Sequence, residues 1–150
     1  MELGGQFVIR APREKVWDLL MDADVLRGCI PGCQSLEGSV EDGFTAKVAL
    51  GIGPVKATFS GSVKLTDLDA PSAFRITGSG NGGAAGFASG GAKVSLSDVP
   101  EGTQLNYEAD AKIGGRLAQL GSRLIQSTSA KLSGQFFSTF AALASERVSV

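Results

Sequence analysis

The spacing of apolar residues changes once along this chain, at the Gly114-Gly115 pair, and that change limits the folds open to it. Before the pair, apolar and polar residues alternate, which is typical of strands with one covered and one solvated face. The alternating segments are residues 44–50, 55–65, 74–77, 93–97 and 103–113. After the pair, apolar residues recur every three or four positions, which predicts one long helix from residue 116 to about residue 144.

The first part of the chain predicts one strand and two short helices. Residues 6–10 read as a strand, which Pro12 ends because proline fixes its φ angle and suits a first helical turn. Residues 14–21 predict a helix, and Asp22 is the expected cap of a second helix through Arg27.

A single long helix with an apolar stripe has to pack on the apolar face of the sheet. We therefore predict one α+β domain over residues 1–150, since a chain of this length suits a single core. Its expected architecture is a curved antiparallel sheet of about six to seven strands around the C-terminal helix, with two short helices near the N-terminus.

Composition excludes several classes of site. The chain has no histidine, so it contains no Ser-His-Asp triad, no Cys-His pair and no histidine metal site. A net charge of -1 gives no general attraction to nucleic acid. Cys29 and Cys33 flank Ile-Pro-Gly, a spacing that favours two small, mostly buried side chains over a redox pair or an incomplete metal site. We predict no cofactor, no metal and no nucleic-acid partner.

The sequence also bears on location. It begins Met-Glu-Leu-Gly-Gly, with no basic segment followed by an apolar one, and therefore shows no secretory signal. The longest uncharged segment near the C-terminus, residues 132–145, has fourteen residues, whereas a spanning helix needs about 20 apolar ones. We expect a cytoplasmic protein.

Glycine is concentrated in residues 78–91, where seven of fourteen positions are glycine. A phosphate-binding loop would need a helix start directly after the glycines, and strand-like sequence follows instead. The segment is therefore interpreted as a hairpin whose glycines supply bends and bulges. A second interpretation, compatible with the first, is that these small residues leave room for a ligand.

Polar candidates are few. Glu108 and Asp110 fall on the polar face of their strand, so no acid–base pair and no catalytic residue is predicted. Arg116, Arg123 and Lys131 make the long helix basic, which suits an anionic lipid surface or an acidic partner as well as a solvated face.

Several segments together resemble one known family. They are the opening helix Ala11-Pro12-Arg13-Glu14-Lys15-Val16-Trp17-Asp18-Leu19-Leu20, then Cys29-Ile30-Pro31-Gly32-Cys33, the hairpin with Gly86-Phe87-Ala88, the run from Gly114 to Ile125, and Phe136-Phe137. With them the sequence resembles the CoxG family, which is named for a subunit of carbon monoxide dehydrogenase and lies within the START/Bet v 1-like (SRPBCC) superfamily of helix-grip proteins.

The resemblance implies a curved sheet that grips the long helix, with an apolar cavity between them. Members are associated with carbon monoxide dehydrogenase and related molybdenum hydroxylases, which they recruit to the membrane or serve by shuttling a quinone. The resemblance therefore implies peripheral contact with the cytoplasmic face of the inner membrane. Many members have a membrane-attaching tail after the helix, whereas this sequence ends at Val150, so autonomous anchoring is not expected.

Three functions remain open at this point. The first is a non-catalytic carrier that binds a quinone or lipid between sheet and helix. Its candidate cavity residues are Trp17, Phe59, Phe74, Phe87, Tyr107, Leu120, Leu124 and Phe136. The second is a small cavity enzyme of the polyketide cyclase/hydrolase type, in which Tyr107 or an inward carboxylate would act on a proton. The third is a docking or assembly protein that binds the hydroxylase through a protein surface.

Overall fold

The computed structural model describes residues 1–148, and the side chains among them through residue 146; the chain end at Val150 lies outside the described residues. The strands are β1 (Glu2–Ile9), β2 (Cys33–Ser39), β3 (Gly43–Ile52), β4 (Val55–Asp69), β5 (Ala73–Asn81), β6 (Phe87–Val99) and β7 (Gly102–Gly114). The helices are α1 (Arg13–Leu20), α2 (Ala23–Cys29) and α3 (Ser122–Val148), and short 3-10 turns cover Gly83–Ala85 and Gly115–Leu120.

The strands form one antiparallel sheet in the order β1-β7-β6-β5-β4-β3-β2. The predicted fold class is confirmed, because this sheet curves around a long C-terminal helix and two short helices follow the first strand. Alternate residues of each long strand point inward toward α3 or outward to solvent, as the period of two predicted.

Some glycines lie where a neighbouring strand leaves no room for a side chain. A Cβ atom added at Gly61 would lie 2.5 Å from the carbonyl oxygen of Ser79 on the neighbouring strand. At Gly90 an added Cβ would overlap the carbonyl oxygen of Asp110. The glycine-rich segment is the β5–β6 hairpin, as predicted, but the register of the two strands is continuous and shows no bulge.

The two short helices are present with small shifts in their bounds: α1 begins at Arg13, one residue before the prediction, and α2 ends at Cys29 rather than Arg27. Asp22 caps α2, and its carboxylate accepts hydrogen bonds from the backbone N–H groups of Asp24 (2.9 Å) and Val25 (3.4 Å). In α1 the buried side chains include Val16 and Trp17, which join the core beneath the sheet.

The start of the long helix differs from the prediction. It begins at Ser122 rather than Arg116, because the preceding residues form a 3-10 turn between two glycines in the left-handed region. These are Gly115, with φ +70°, and Gly121, with φ +90°. Leu117 is buried in that turn and faces the same interior as the helix, which explains why the apolar stripe runs on without a break.

The long helix bridges the curved sheet rather than lying flat on it. The backbone of α3 comes close to the sheet mainly at β1 and β3, and these two strands lie near opposite edges of the sheet. It also packs on α1 and α2. Strands β4 to β7 therefore run beneath the middle of the helix. Within residues 1–148, no helix is long and apolar enough to cross a membrane.

Candidate functional site

Two separate groups of apolar side chains fill the space between sheet and helix. The aromatic cluster consists of Phe7, Tyr107, Phe136, Phe137 and Phe140, and it belongs to the main core. The loop-end cluster consists of Val55, Ala85 and Leu117 with the partly buried Ile52, Ala57, Phe59, Ile113 and Leu120. Because the two clusters are not continuous, a stretch of the inner face lies between them.

Small residues occupy that stretch. The small-residue floor consists of the inward positions Gly78, Gly80, Ala88, Gly90, Ala92, Ala109 and Ala111 on β5, β6 and β7. Above them is an open pocket of about 380 Å³, to which Val63 and Ile76 contribute branched side chains. Larger side chains at Gly80 or at the alanine positions would extend into this space, so the small residues of the floor keep the pocket open.

Tyr107 stands at the boundary between this floor and the aromatic cluster. Gly5 is its partner on β1, and a Cβ atom there would lie 2.9 Å from Cε1 of the tyrosine. Glycine thus allows the ring to lie over β1 and stack with Phe7 at 6.3 Å between ring centroids. The hydroxyl forms a 3.0 Å hydrogen bond with the Ser133 hydroxyl, which ties the sheet to α3.

Replacing Tyr107 by phenylalanine is expected to lower the free energy of unfolding by about 0.5–1.5 kcal/mol, because one part-buried hydrogen bond is lost. Urea unfolding measures the change. In a Ser133→Ala background, Tyr107→Phe should lower the free energy of unfolding clearly less, because the hydroxyl that bonds Tyr107 has already been removed. Equal costs in both backgrounds would show that the bond contributes nothing.

The predicted cavity residues divide among five places. Phe59 and Leu120 belong to the loop-end cluster, and Tyr107 and Phe136 to the aromatic cluster. None of these four is a lining residue of the inner pocket. Leu124 packs over the β3–β4 turn, where a Cβ added at Gly53 would lie 2.9 Å from Cδ2 of the leucine.

The remaining three lie elsewhere. The rings of Trp17 and Phe74 contact each other edge-to-face, with 5.5 Å between their centroids. Both residues belong to the main core and lie away from the small-residue floor. Phe87 lies on the outward face of β6, 52% exposed, with its ring against Gly114 of β7. It faces away from α3, because the inward positions of β6 are the even-numbered residues that follow it. Phe87 is therefore not part of the inner pocket and lines a concavity on the outward face instead.

A larger concavity of the surface, about 940 Å³, lies on the opposite, outward face. Its walls combine hydroxyl and charged side chains, among them Thr45, Ser60 and Lys47, with the half-exposed ring of Phe87. An apolar ligand there would remove polar groups from water without pairing them, which costs free energy. The smaller inner pocket is the candidate site for an apolar ligand because its lining is mainly apolar.

Both cysteines are free thiols. Cys29 is buried in the main core, and burial raises the pKa of its thiol above the usual value, which disfavours the reactive thiolate. The Cys33 thiol is partly buried and donates a hydrogen bond to the Ser35 carbonyl oxygen at 3.4 Å. Among residues 1–148, no group of three or more Cys, Asp or Glu side chains is arranged to hold a metal ion.

The sequence profile of the CoxG family, described as a subunit of carbon monoxide dehydrogenase, matches residues 5–145 of this chain. The chain belongs to the CoxG family. The match covers nearly all of the sheet, the pocket and most of α3, and it confirms the resemblance found from the sequence. A search of curated proteins gave no match.

Solved structures agree with this assignment. A conserved protein from Geobacillus kaustophilus is 30% identical, with a TM-score of 0.91 over 97% of this chain and 96% of that chain. A protein from Chromobacterium violaceum is 15% identical, with a TM-score of 0.72 over 95% of this chain and 96% of that one. The Bet v 1-type allergen Ara h 8.0201 is 18% identical, with a TM-score of 0.63 over 97% of this chain and 98% of that one, and it shares the helix-grip fold.

In this CoxG-family chain none of the eight candidate residues lines the inner pocket, so their contact with a ligand stays a prediction. The second interpretation of the glycine-rich segment, that its small residues leave room for a ligand, agrees with the floor. The candidate residues were large and aromatic, whereas the pocket is lined mostly by glycine and alanine. A signal was present, because Ala109 and Ala111 fall on the apolar face of a strictly alternating strand where larger side chains would normally stand. Small residues at consecutive inward positions of a strand indicate such a floor.

Proposed function

We propose that this CoxG-family protein is a non-catalytic accessory protein that binds an apolar ligand, a quinone or a lipid, between the sheet and α3. The observation that carries the proposal is the small-residue floor, which leaves an open pocket of about 380 Å³ on the inner face of the sheet. That volume is in the range of small-molecule pockets, roughly 300–1,000 Å³. Burial of an apolar tail there supplies about 25 cal/mol per Å² before the costs of binding.

The lining supports binding rather than chemistry. Its branched members are Val63 and Ile76, and its floor is glycine and alanine. Asp110 borders the pocket, but its carboxylate is 72% exposed and pairs with the N-terminal ammonium at 3.2 Å. The groups that would move a proton in an enzyme therefore point elsewhere or, like Tyr107, are already hydrogen-bonded.

The partner proposed for the protein is carbon monoxide dehydrogenase or a related molybdenum hydroxylase. Support comes from the family description, which names a subunit of that enzyme. In this role the protein recruits the hydroxylase to the membrane, or brings it the quinone that accepts its electrons. Arg116, Arg123 and Lys131 are exposed in the turn before α3 and on the first part of that helix, where they suit contact with anionic lipid headgroups.

Native mass spectrometry of freshly purified protein, followed by a thermal shift with decylubiquinone, tests the ligand. We expect a co-purified lipid or quinone, and a stabilisation of about 2.7 kcal/mol when the quinone is present at 100 times its Kd. Phosphatidylglycerol in the same assay distinguishes a lipid carrier from a quinone carrier. An empty protein that neither compound stabilises would overturn the proposed ligand class, and binding of a purified hydroxylase by that empty protein would favour a pure docking role.

A further inference from the structure

A second apolar pocket lies at the other end of the sheet. It has a volume of about 480 Å³ and is formed where α1 and the start of α2 meet the β2–β3 and β4–β5 turns. Trp17 and Phe44 are its buried members, and Met21, Val40 and Leu68 complete its apolar walls. It shares no lining residue with the pocket above the small-residue floor.

Leu68 lines this pocket with its side chain half exposed to solvent. The register of β4 against β5 shifts between Thr66 and Asp69, so the strand bulges there. Asp67 adopts φ +53° within the bulge, and its carboxylate lies 3.4 Å from Nε of Arg75. The bulge leaves Leu68 49% exposed beside other apolar side chains, which is unfavourable for a surface in contact with water alone.

The charged residues in the segments that line the pocket are all acidic, and Arg75 neutralises one of them, Asp67. All its lining residues fall within residues 17–23, 38–44 and 67–70, and these segments carry six carboxylates and no lysine or arginine. Asp22 caps α2 and Asp67 pairs with Arg75, and the other four carboxylates lie on exposed residues. An anionic lipid surface would be repelled here, whereas a cationic segment would be attracted.

We propose that this pocket docks a segment of a protein partner in which an apolar side chain is flanked by lysine or arginine. The apolar side chain enters between Leu68 and Met21, above Trp17. The flanking cations face the exposed carboxylates, among them Glu41 and Asp69. An apolar centre within a charged rim is the usual composition of a protein interface. The site goes beyond the proposed ligand pocket, and either can fail without the other.

Trp17 is the only tryptophan of the chain, so its fluorescence reports on this pocket directly. The probe is a capped peptide with the core Lys-Leu-Leu-Lys, titrated into the full chain at low salt. We expect a saturable change in Trp17 emission that weakens as salt is added. Peptides with the cores Glu-Leu-Leu-Glu and Lys-Ser-Ser-Lys are the controls, and each should bind at least about tenfold more weakly.

Two variants test whether the peptide binds at this pocket. Leu68→Ser should weaken binding about fivefold or more, and Glu41→Lys with Asp69→Lys should shift the preference toward the acidic peptide. Val8→Ser is the matched control, because Val8 is equally exposed at 50% but lies on the outward face of β1. It should leave the affinity unchanged.

The proposal is overturned if Trp17 emission does not respond to millimolar basic peptide. It is also overturned if the acidic peptide binds equally well, or if Val8→Ser weakens binding as much as Leu68→Ser. Sedimentation velocity provides a further check, since a dimer of this chain that Leu68→Ser dissociates would make a second copy the occupant instead. Binding of phosphatidylglycerol vesicles through Leu68 would likewise contradict a protein partner.

Discussion

Replacing Phe140 by alanine is expected to lower the free energy of unfolding by about 3–5 kcal/mol, the cost of removing a fully buried ring and leaving a cavity. Phe140 is 0% exposed in the middle of the core between α3 and the sheet. The centroid of its ring lies 6.0 Å from that of Phe136 and 6.3 Å from that of Phe137. Loss of the ring therefore loosens the aromatic cluster as well. Urea unfolding followed by far-UV circular dichroism measures the change.

The control is Ser138→Ala, two residues earlier on the exposed side of the same helix. It should change the free energy of unfolding by less than about 0.5 kcal/mol, since alanine favours a helix and the serine is at the surface. A cost below about 1 kcal/mol for Phe140→Ala would mean that the C-terminal half of α3 is not packed as described. The aromatic end of the pocket would then be undefined too.

The faces of the long strands were predictable, because alternation is a local property of the sequence. In β4 and β7 each residue predicted to face inward does so, and Phe44 of β3 pairs with Val63 of β4 on the same inner face. Burial on one side of a sheet imposes this period wherever a strand is long enough to show it. Fold class followed from these strands and the single long helix.

Strand ends and weak strands were not predictable in the same way. Strand β2 has one buried side chain, Leu36, among polar residues and glycine, and it is a strand because it pairs with β3. Strand β1 begins at Glu2 rather than Gln6, since Gly4 and Gly5 pair with β7. In both cases the partner strand supplies the hydrogen bonds, and the local sequence carries no apolar pattern.

The start of α3 shows how a correct pattern can give a wrong boundary. Leu117 and Leu120 continue the apolar stripe of the helix, yet they lie in a 3-10 turn before it. Both face the loop-end cluster, so burial selects apolar residues there whatever the backbone conformation. Gly121 followed by Ser122 indicates the start of the helix, because glycine interrupts a helix and serine is a favoured N-terminal residue. The spacing of the apolar residues does not show this boundary.

Filling the pocket from its floor is expected to abolish ligand binding while the fold survives. Gly80 is the best position, since a Cβ added there meets nothing closer than the Ser60 carbonyl oxygen at 4.0 Å. Its partners across the strands are Gly61 and Ala88, so a leucine side chain extends over small neighbours into the space for the ligand. Gly80→Leu should weaken decylubiquinone binding by at least about tenfold, the loss expected when bound apolar surface is displaced.

The matched control is Ser79→Leu, which adds the same side chain one residue earlier on the outward face of β5. It should bind the quinone as the unmodified protein does, and neither variant should melt at a lower temperature, because leucine suits a strand better than glycine or serine. Phe59→Asp is a poorer test, since Phe59 is packed in the loop-end cluster and a charge there could unfold it. If Gly80→Leu binds quinone as tightly as Ser79→Leu, the ligand lies outside the inner pocket. If both variants lose quinone binding equally, the loss results from a disturbance of strand β5 and not from filling of the inner pocket.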